Sequence, residues 1–362
     1  MGELTAGLLG HSHPVIREAV LSTFDNVGLS LGSTTVQEHK YAALLCDRFK
    51  VDRIRFTNTG TEANMHALAG ARHFTGRRRV VVFSGGYHGA VFSFAGGASA
   101  VNNVDRDDFV IATYNDSEGA CKTIASTPDL AAVLVEPMQG GGGCIPGTPE
   151  FLRRIQDAAH AAGALFILDE VMTSRLGPHG LGHELGLQPD LKVFGKYLGG
   201  GFAFGAFGGR AEVMAVYDPR VAGALAHSGT FNNNTMAMHA GYAALAKVLT
   251  PARILALNSQ GDGLRERLAR VSQGTKLSVT GRGSMIALHF TADGTREILR
   301  AEDAPDQADL RDLFWFEMLE DGYWTTRRGM IAMMLDTPDE ELARFADCVG
   351  KFLDRHGDIM KL

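Results

Sequence analysis

Apolar and polar positions follow two different periods along this chain. Four short runs are almost wholly apolar: Val80–Ser84, Ala132–Glu136, Ala164–Asp169 and Phe202–Gly208. Their length and their polar or glycine flanks predict buried strands. Between the second and third, Pro149–Ala162 has helical spacing. Leu152, Ile155, Ala159 and Ala162 share one face, Thr148 stands at the N-cap, and Pro149 suits the first turn. Helices alternating with apolar runs predict an α/β fold, a mainly parallel sheet with helices on both faces. Ligands of such sheets bind at the carboxyl ends of the strands.

The pattern changes after about Thr230. Asn234–Leu249 reads as one long alanine-rich helix and Pro251–Val271 as another. Lys276–Thr280 and Ser284–Phe290 read as a strand pair around Gly281-Arg282-Gly283. Gln307–Asp321 reads as a helix, Met330–Leu335 as a strand, and Glu340–Arg355 as a helix with Leu342, Phe345, Val349, Phe352 and Leu353 on one face. The expected organisation is an N-terminal segment 1–40, a large α/β domain 41–244 and a smaller α+β domain 245–362.

Composition narrows the function classes. The 362 residues carry 35 basic and 41 acidic side chains, a net charge of −6, which argues against a general nucleic-acid binder. No apolar run is long enough to span a bilayer, and the first residues lack the charged and apolar regions of a secretory signal. The four cysteines, Cys46, Cys121, Cys144 and Cys348, match no zinc spacing. They read as reduced thiols of a cytoplasmic protein. No metal is expected: His179 and His183 have i,i+4 spacing, but glycines surround them and no H-E-x-x-H pattern exists. Arg77-Arg78-Arg79 reads as a solvated strand entry.

Two residues carry the sharpest chemical signal. Lys196 stands in the glycine-rich turn Phe194-Gly195-Lys196-Tyr197-Leu198-Gly199-Gly200-Gly201 after an apolar stretch. Asp169 ends the predicted strand Ala164–Asp169. A lysine in such a turn and an acid at a strand end are the two groups pyridoxal phosphate needs. The amine forms a Schiff base with its aldehyde, and the carboxylate pairs with its pyridinium nitrogen. Thr57-Asn58-Thr59-Gly60-Thr61-Glu62-Ala63-Asn64 opens a helix, and its free N–H groups and hydroxyls describe a phosphate cradle. Taken alone, the same residues also describe a simple threonine cap. Ser84-Gly85-Gly86-Tyr87-His88-Gly89 could present an aromatic ring to a planar ligand, or be an ordinary loop. Glu136 is a further carboxylate at a strand end, followed by Gly140–Gly143. Neither glycine-rich run fits G-x-G-x-x-G, and a P-loop fails at Asp190 and Tyr197. Thr230 lies in the polar loop His227–Asn234 and could donate to a phosphate or simply precede a capped helix.

In order, these segments resemble the class III aminotransferases of PLP fold type I over nearly the whole chain. The resemblance starts at Leu9-Gly10-His11-Ser12-His13-Pro14 and runs through Thr59–Asn64, Gly86-Tyr87-His88-Gly89, Glu136-Pro137, Asp169-Glu170-Val171, Gly195-Lys196 and Gly229-Thr230. It implies a pyridoxal 5'-phosphate enzyme, with Lys196 and Asp169 as the catalytic pair. Thr59, Gly60 and Thr61 would bind the phosphate, and Tyr87 and Val171 would hold the two ring faces. His88 and Glu136 would stand near the cofactor. Thr230 would reach the phosphate of a neighbouring subunit, which implies a homodimer with sites at the interface.

Asp169–Arg175, His227–Asn234 and Phe83–Gly89 resemble the β-amino-acid (β-phenylalanine) aminotransferases most. Glutamate-1-semialdehyde aminomutases share the Asp169-Glu170-Val171-Met172-Thr173 and Gly205–Gly209 segments, but not Phe231-Asn232-Asn233 after Gly229-Thr230. The resemblance therefore implies transfer of an amino group from a β-amino acid or related amine to a keto acid, with a 2,1-aminomutase as the alternative. Arg328, in Arg327-Arg328-Gly329-Met330, matches an arginine that clamps the substrate carboxylate in the β-amino-acid group. A solvated turn arginine explains it equally well. Family members carry a further segment before the Leu-Gly-His motif that helps shape the substrate pocket. Here the motif stands only a few residues in, which leaves substrate specificity open.

Overall fold

The computed structural model describes residues 2–29, 31–94, 104–294, 297–305 and 307–362. Its strands, in chain order, are β1 (Arg53–Thr57), β2 (Arg79–Phe83), β3 (Phe109–Ala112), β4 (Leu130–Val135), the two-residue β5 (Met138–Gln139) and β6 (Ile145–Pro146), β7 (Leu165–Asp169), β8 (Leu191–Gly195), β9 (Gly205–Gly209), β10 (Leu277–Arg282), β11 (Met285–Phe290) and β12 (Met330–Ala332). Seven of them form one sheet in the order β1-β9-β8-β7-β4-β2-β3. Neighbours from β8 to β3 pair in parallel, and β9 runs antiparallel to both β1 and β8. β1 therefore points the same way as β8. The carboxyl ends of β1, β2, β4, β7 and β8 share one edge, where Thr57 and Gly195 both lie opposite Gly205. Gly205 is required there: a Cβ would stand 2.1 Å from the Thr59 carbonyl oxygen.

The central strands are buried on both faces; all six residues of β4 are inaccessible, which is why they read as unbroken apolar runs. Two edge strands escaped the sequence pattern. β1 alternates arginine with apolar residues, and β3 is only part-buried. The strand expected over Phe202–Gly208 begins at Gly205. Before it, Phe202 N–H returns to the Gly199 carbonyl at 3.2 Å, so these residues close a turn instead of pairing.

The long helix expected over Asn234–Leu249 is α-helical only over Thr235–Ala243 and continues as π-helix over Ala244–Val248. Leu249 N–H reaches back to Ala244 O at 2.8 Å, and Thr250 caps the helix Pro251–Val271. These two helical segments meet at 80°, and among the described residues no single helix is long and apolar enough to cross a membrane.

β10, β11 and β12 form a second, antiparallel sheet. The strand expected over Met330–Leu335 stops at Ala332 because Leu335 N–H turns to the Leu8 carbonyl, 2.8 Å away. This sheet packs against the large one through shared apolar clusters. One cluster joins Tyr41, Phe194 and Tyr197 to Phe290, Phe314 and Phe352; another joins Phe83 and Phe166 to Met285 and Met330. The packing brings the turn before β12 to the edge where Lys196 lies.

Candidate active site

The segments leaving the five aligned strand ends enclose a cavity of about 320 Å3. β1 is followed by Asn58, Thr59, Gly60 and Thr61, β2 by Tyr87 and His88, and β4 by Glu136. β7 supplies Asp169 and Val171, and β8 is followed by Lys196; all of them line the cavity. Thr230 and Arg328 do not.

At the β1 end, Thr59 caps the helix Gly60–Thr75. Its hydroxyl accepts from Glu62 N–H at 3.1 Å, and the Glu62 carboxylate accepts from Asn58 N–H at 2.9 Å. The N–H groups of Gly60 and Thr61 are left without intrahelical acceptors, at the positive end of the helix dipole. Glycine at 60 lets this end close on the opposite wall: a Cβ there would sit 2.9 Å from Val171 Cγ2. Gly89, at φ +116°, seats the β2 loop on Thr61, where a Cβ would fall 2.2 Å from Thr61 Oγ1.

Asp169 is buried in a ring of donors. Its Oδ2 accepts from Asn64 Nδ2 and faces His88 Nδ1, both at 2.8 Å, and its Oδ1 accepts from Val171 N–H at 3.0 Å. A carboxylate only accepts, so His88 carries its proton on Nδ1. Burial pulls the pKa of His88 down, but the hydrogen bond and charge of Asp169, helped by Glu136, outweigh it and hold it above its ordinary value. Glu136 accepts from Tyr87 N–H and Gly140 N–H, each at 3.0 Å. Burial pushes its carboxyl up to about 7, against the pull of His88 and those two N–H groups. Asn64 is a site residue the sequence reading left without a role. Its place in the helix, one turn after Gly60, was the available signal, but the pairing with Asp169 is a contact across the fold.

Lys196 follows Gly195 into a left-handed backbone conformation, φ +58°, uncommon for a residue with a side chain and a mark of a conformation imposed by its surroundings. Burial lowers the pKa of its amine. Asp169 and Glu136 oppose that shift, and the positive charge of Arg328 adds to it. Arg328 is exposed, in the turn Thr326–Gly329, and makes no hydrogen bond or ion pair among the described residues. Its neighbour Arg327 is taken by Asp312 at 2.8 Å. Tyr87, 44% exposed, lines the same cavity as Val171.

Thr230 is exposed and lines a separate groove with Arg55 and Asn233; its loop is tied back by Asn58 Nδ2, which donates to Asn232 Oδ1 at 3.0 Å. His179 Nδ1 lies 2.8 Å from the Arg48 carbonyl, and no cluster of three or more metal-ligating side chains occurs among the described residues. Arg77 donates to the carbonyls of Leu130 and Ala162, while Arg78 stays exposed and pairs with Asp105 at the strand entry.

The sequence pattern of the family described as Aminotransferase class-III matches residues 1–338. The chain is a class III aminotransferase. It is 46% identical to the β-phenylalanine transaminase of Variovorax paradoxus over 366 residues, covering 99% of this chain and 82% of that one. The crystal structure of a β-phenylalanine aminotransferase from Variovorax paradoxus superposes with a TM-score of 0.95, over 99% of this chain and 83% of the other. A glutamate-1-semialdehyde 2,1-aminomutase of Sorangium cellulosum is further away, 35% identical over 94% of this chain and 81% of its own. A transaminase with PLP bound is 29% identical, TM-score 0.86, over 98% of this chain and 85% of that one. The aminotransferase is thus a pyridoxal-phosphate-dependent enzyme. Its cavity fits that cofactor by its donor set: free helix N–H groups for a phosphate, a buried acceptor for a ring N–H, a ring face, and an amine of lowered pKa for the aldehyde.

Proposed function

We propose that this aminotransferase takes its amino group from a β-amino acid or a related carboxylate-bearing amine and passes it to a keto acid in a ping-pong cycle. The observation that carries the reading is Arg328, an uncommitted guanidinium whose charge reaches the Lys196 amine. Its fork suits a carboxylate. The Variovorax relative, named for β-phenylalanine, supports the same substrate class.

Pyridoxal phosphate supplies an aldehyde that takes up the amine nitrogen and a ring that accepts the electron pair of a broken C–H bond. Gly60 N–H, Thr61 N–H and the Thr59 hydroxyl would hold its phosphate. Asp169, held by Asn64 and His88, would accept the ring N–H and keep that proton in place. Tyr87 and Val171, both on the cavity wall, would confine the ring. Glu136 fixes the Tyr87 and Gly140 backbones and so supports the site without moving protons. Lys196 Nζ is the amine that would hold the aldehyde. As a free amine it would carry a proton between substrate and cofactor, and burial shifts it toward the neutral form that can accept one.

Lys196→Ala is expected to abolish turnover and the absorbance of the lysine-bound cofactor; a variant that still turns over removes Lys196 from this role. Dependence of product formation on an added keto acid separates transamination from 2,1-aminomutation, which needs none.

Three further readings belong with this one. Residues 41–244 form the cofactor-binding domain and 245–362 the smaller one, with the π-helical turn Ala244–Val248 at the junction. The enzyme works in the cytoplasm, where its four unpaired cysteines stay reduced. It is a homodimer in which Thr230 serves the partner's phosphate. Thr230 stands away from its own cavity, and Leu21, Phe24, Leu29 and Phe231 are exposed apolar residues for a second copy to cover.

A further inference from the structure

Arg175 is wholly buried, and nothing in the proposed chemistry uses it. It lies in the helical turn Thr173–Leu176 that follows Asp169 and Val171. Its Nε donates to Ser284 Oγ at 3.0 Å, and its Nη2 donates to the Met333 carbonyl. Its own carbonyl accepts from Asn258 Nδ2 at 3.0 Å, while Asn258 Oδ1 accepts from Ser284 N–H at 2.9 Å. Met333 N–H closes the set on the Ser284 carbonyl, 2.9 Å away. These partners lie on the helix Pro251–Val271 and at the ends of β11 and β12. Among the described residues no carboxylate pairs with the guanidinium, so a cation is buried against neutral oxygens alone. Such burial is costly, and an apolar side chain would fill the space more cheaply.

The geometry at β12 supplies the reason. The strand has three residues, Met330–Ala332. Arg328 stands in the turn that opens it, and Met333, gripped by Arg175, follows its other end. A displacement at Met333 is transmitted along so short a strand to Arg328. Other anchors of the turn are local to the C-terminal region: Leu288 N–H on the Gly329 carbonyl at 3.0 Å, Met330 N–H on Thr326 Oγ1 at 2.8 Å, Arg327 on Asp312 and Trp315 on the Thr325 carbonyl. Arg175 instead ties β12 to the segment that carries Asp169 and Val171. A planar fork fixes direction as well as distance, which an ammonium does not.

We propose that Arg175 is a positioning residue that sets where Arg328 stands relative to Lys196, and thereby governs recognition of the substrate carboxylate. This rests on the reading of Arg328 as the carboxylate clamp. The experiment compares holoenzyme variants on a β-amino acid and on the same skeleton lacking the carboxylate. Arg328→Ala is expected to raise KM for the acid selectively. Arg175→Met is expected to raise KM for the acid by about tenfold and that for the simple amine by less than about twofold, since displacement of a clamp costs the group it holds. Ser284→Ala, which removes only the Nε acceptor, is expected to move the ratio the same way by less, and it carries the test if Arg175→Met does not fold. In the Arg328→Ala background neither change should alter the ratio further. Equal KM losses on both substrates, additivity with Arg328→Ala, or lowered melting temperature with an unchanged ratio overturns the proposal alone. An unchanged ratio in Arg328→Ala itself overturns the clamp as well.

Discussion

Glu136 is a buried carboxyl whose two oxygens both accept backbone N–H groups, yet burial holds its pKa near 7. That shift has a sign in stability. The folded protein binds the Glu136 proton up to about pH 7, the unfolded chain only up to its ordinary value of 4.5. Between those values the folded state holds more protons, so the contribution of Glu136 is most favourable at acid pH and falls as pH rises through that window. The total is roughly 3 kcal/mol at 1.4 kcal/mol per unit. Glu136→Gln removes the titration but misplaces one amide N–H, a constant offset. The difference in unfolding free energy, wild type minus variant, measured on cofactor-free protein, is therefore expected to decline between about pH 4.5 and 7.5. A flat difference contradicts the buried, proton-binding carboxyl. At this scale the sequence spoke for residues whose chemistry is local: a lysine in a glycine turn, an acid at a strand end, a threonine before a helix. It was silent on Asn64 and Arg175, whose partners Asp169, Ser284 and Met333 are distant in the chain.

Elements were legible where burial is symmetrical. β4 and β7 are buried throughout and read as apolar runs; β8, equally buried but carrying Lys192, gave only the apolar stretch before Lys196, and the edge strands β1 and β3 did not read as runs, because one side is covered by less protein. The helix after Asn234 read as continuous because alanine-rich composition does not distinguish an i→i+4 from an i→i+5 ladder. The cradle shows how an element's end depends on a neighbour. Gly60→Ala places a methyl against Val171 at 2.9 Å, so the helix N-terminus and the β7 loop must part. Overpacking of this kind costs about 1–3 kcal/mol, equivalent to weakening pyridoxal phosphate binding by about fivefold or more. Val171→Ala relieves the contact but loses a ring face. The double variant is expected to bind the cofactor more tightly than the sum of the two single losses allows, as read by titration of the apoenzyme. Strict additivity would separate the phosphate cradle from Val171.

For the whole molecule, one chain carries every proposed cofactor contact in a single cavity except Thr230. The resemblance assigns Thr230 to the phosphate of a neighbouring subunit, and in the fold it does not line its own chain's cavity. The loop itself is firmly held, by Asn58 on Asn232 and by Arg55 Nη1 3.1 Å from His227 Nδ1. It therefore presents Thr230 outward as a fixed surface feature. If Thr230 serves the partner, complementation follows from counting sites. Lys196→Ala subunits have no reactive lysine but an intact Thr230, and Thr230→Ala subunits have the converse. In a mixed dimer, the site built on the Thr230→Ala subunit combines its own Lys196 with Thr230 from the other chain, and is wild type throughout. Unfolding, mixing and refolding the two variants should therefore restore wild-type cofactor affinity to that site. At limiting pyridoxal phosphate, activity should exceed the mean of the two variants refolded separately. If Thr230 serves its own cavity, every site in every mixed dimer keeps a defect, and the mixture shows no gain over that mean.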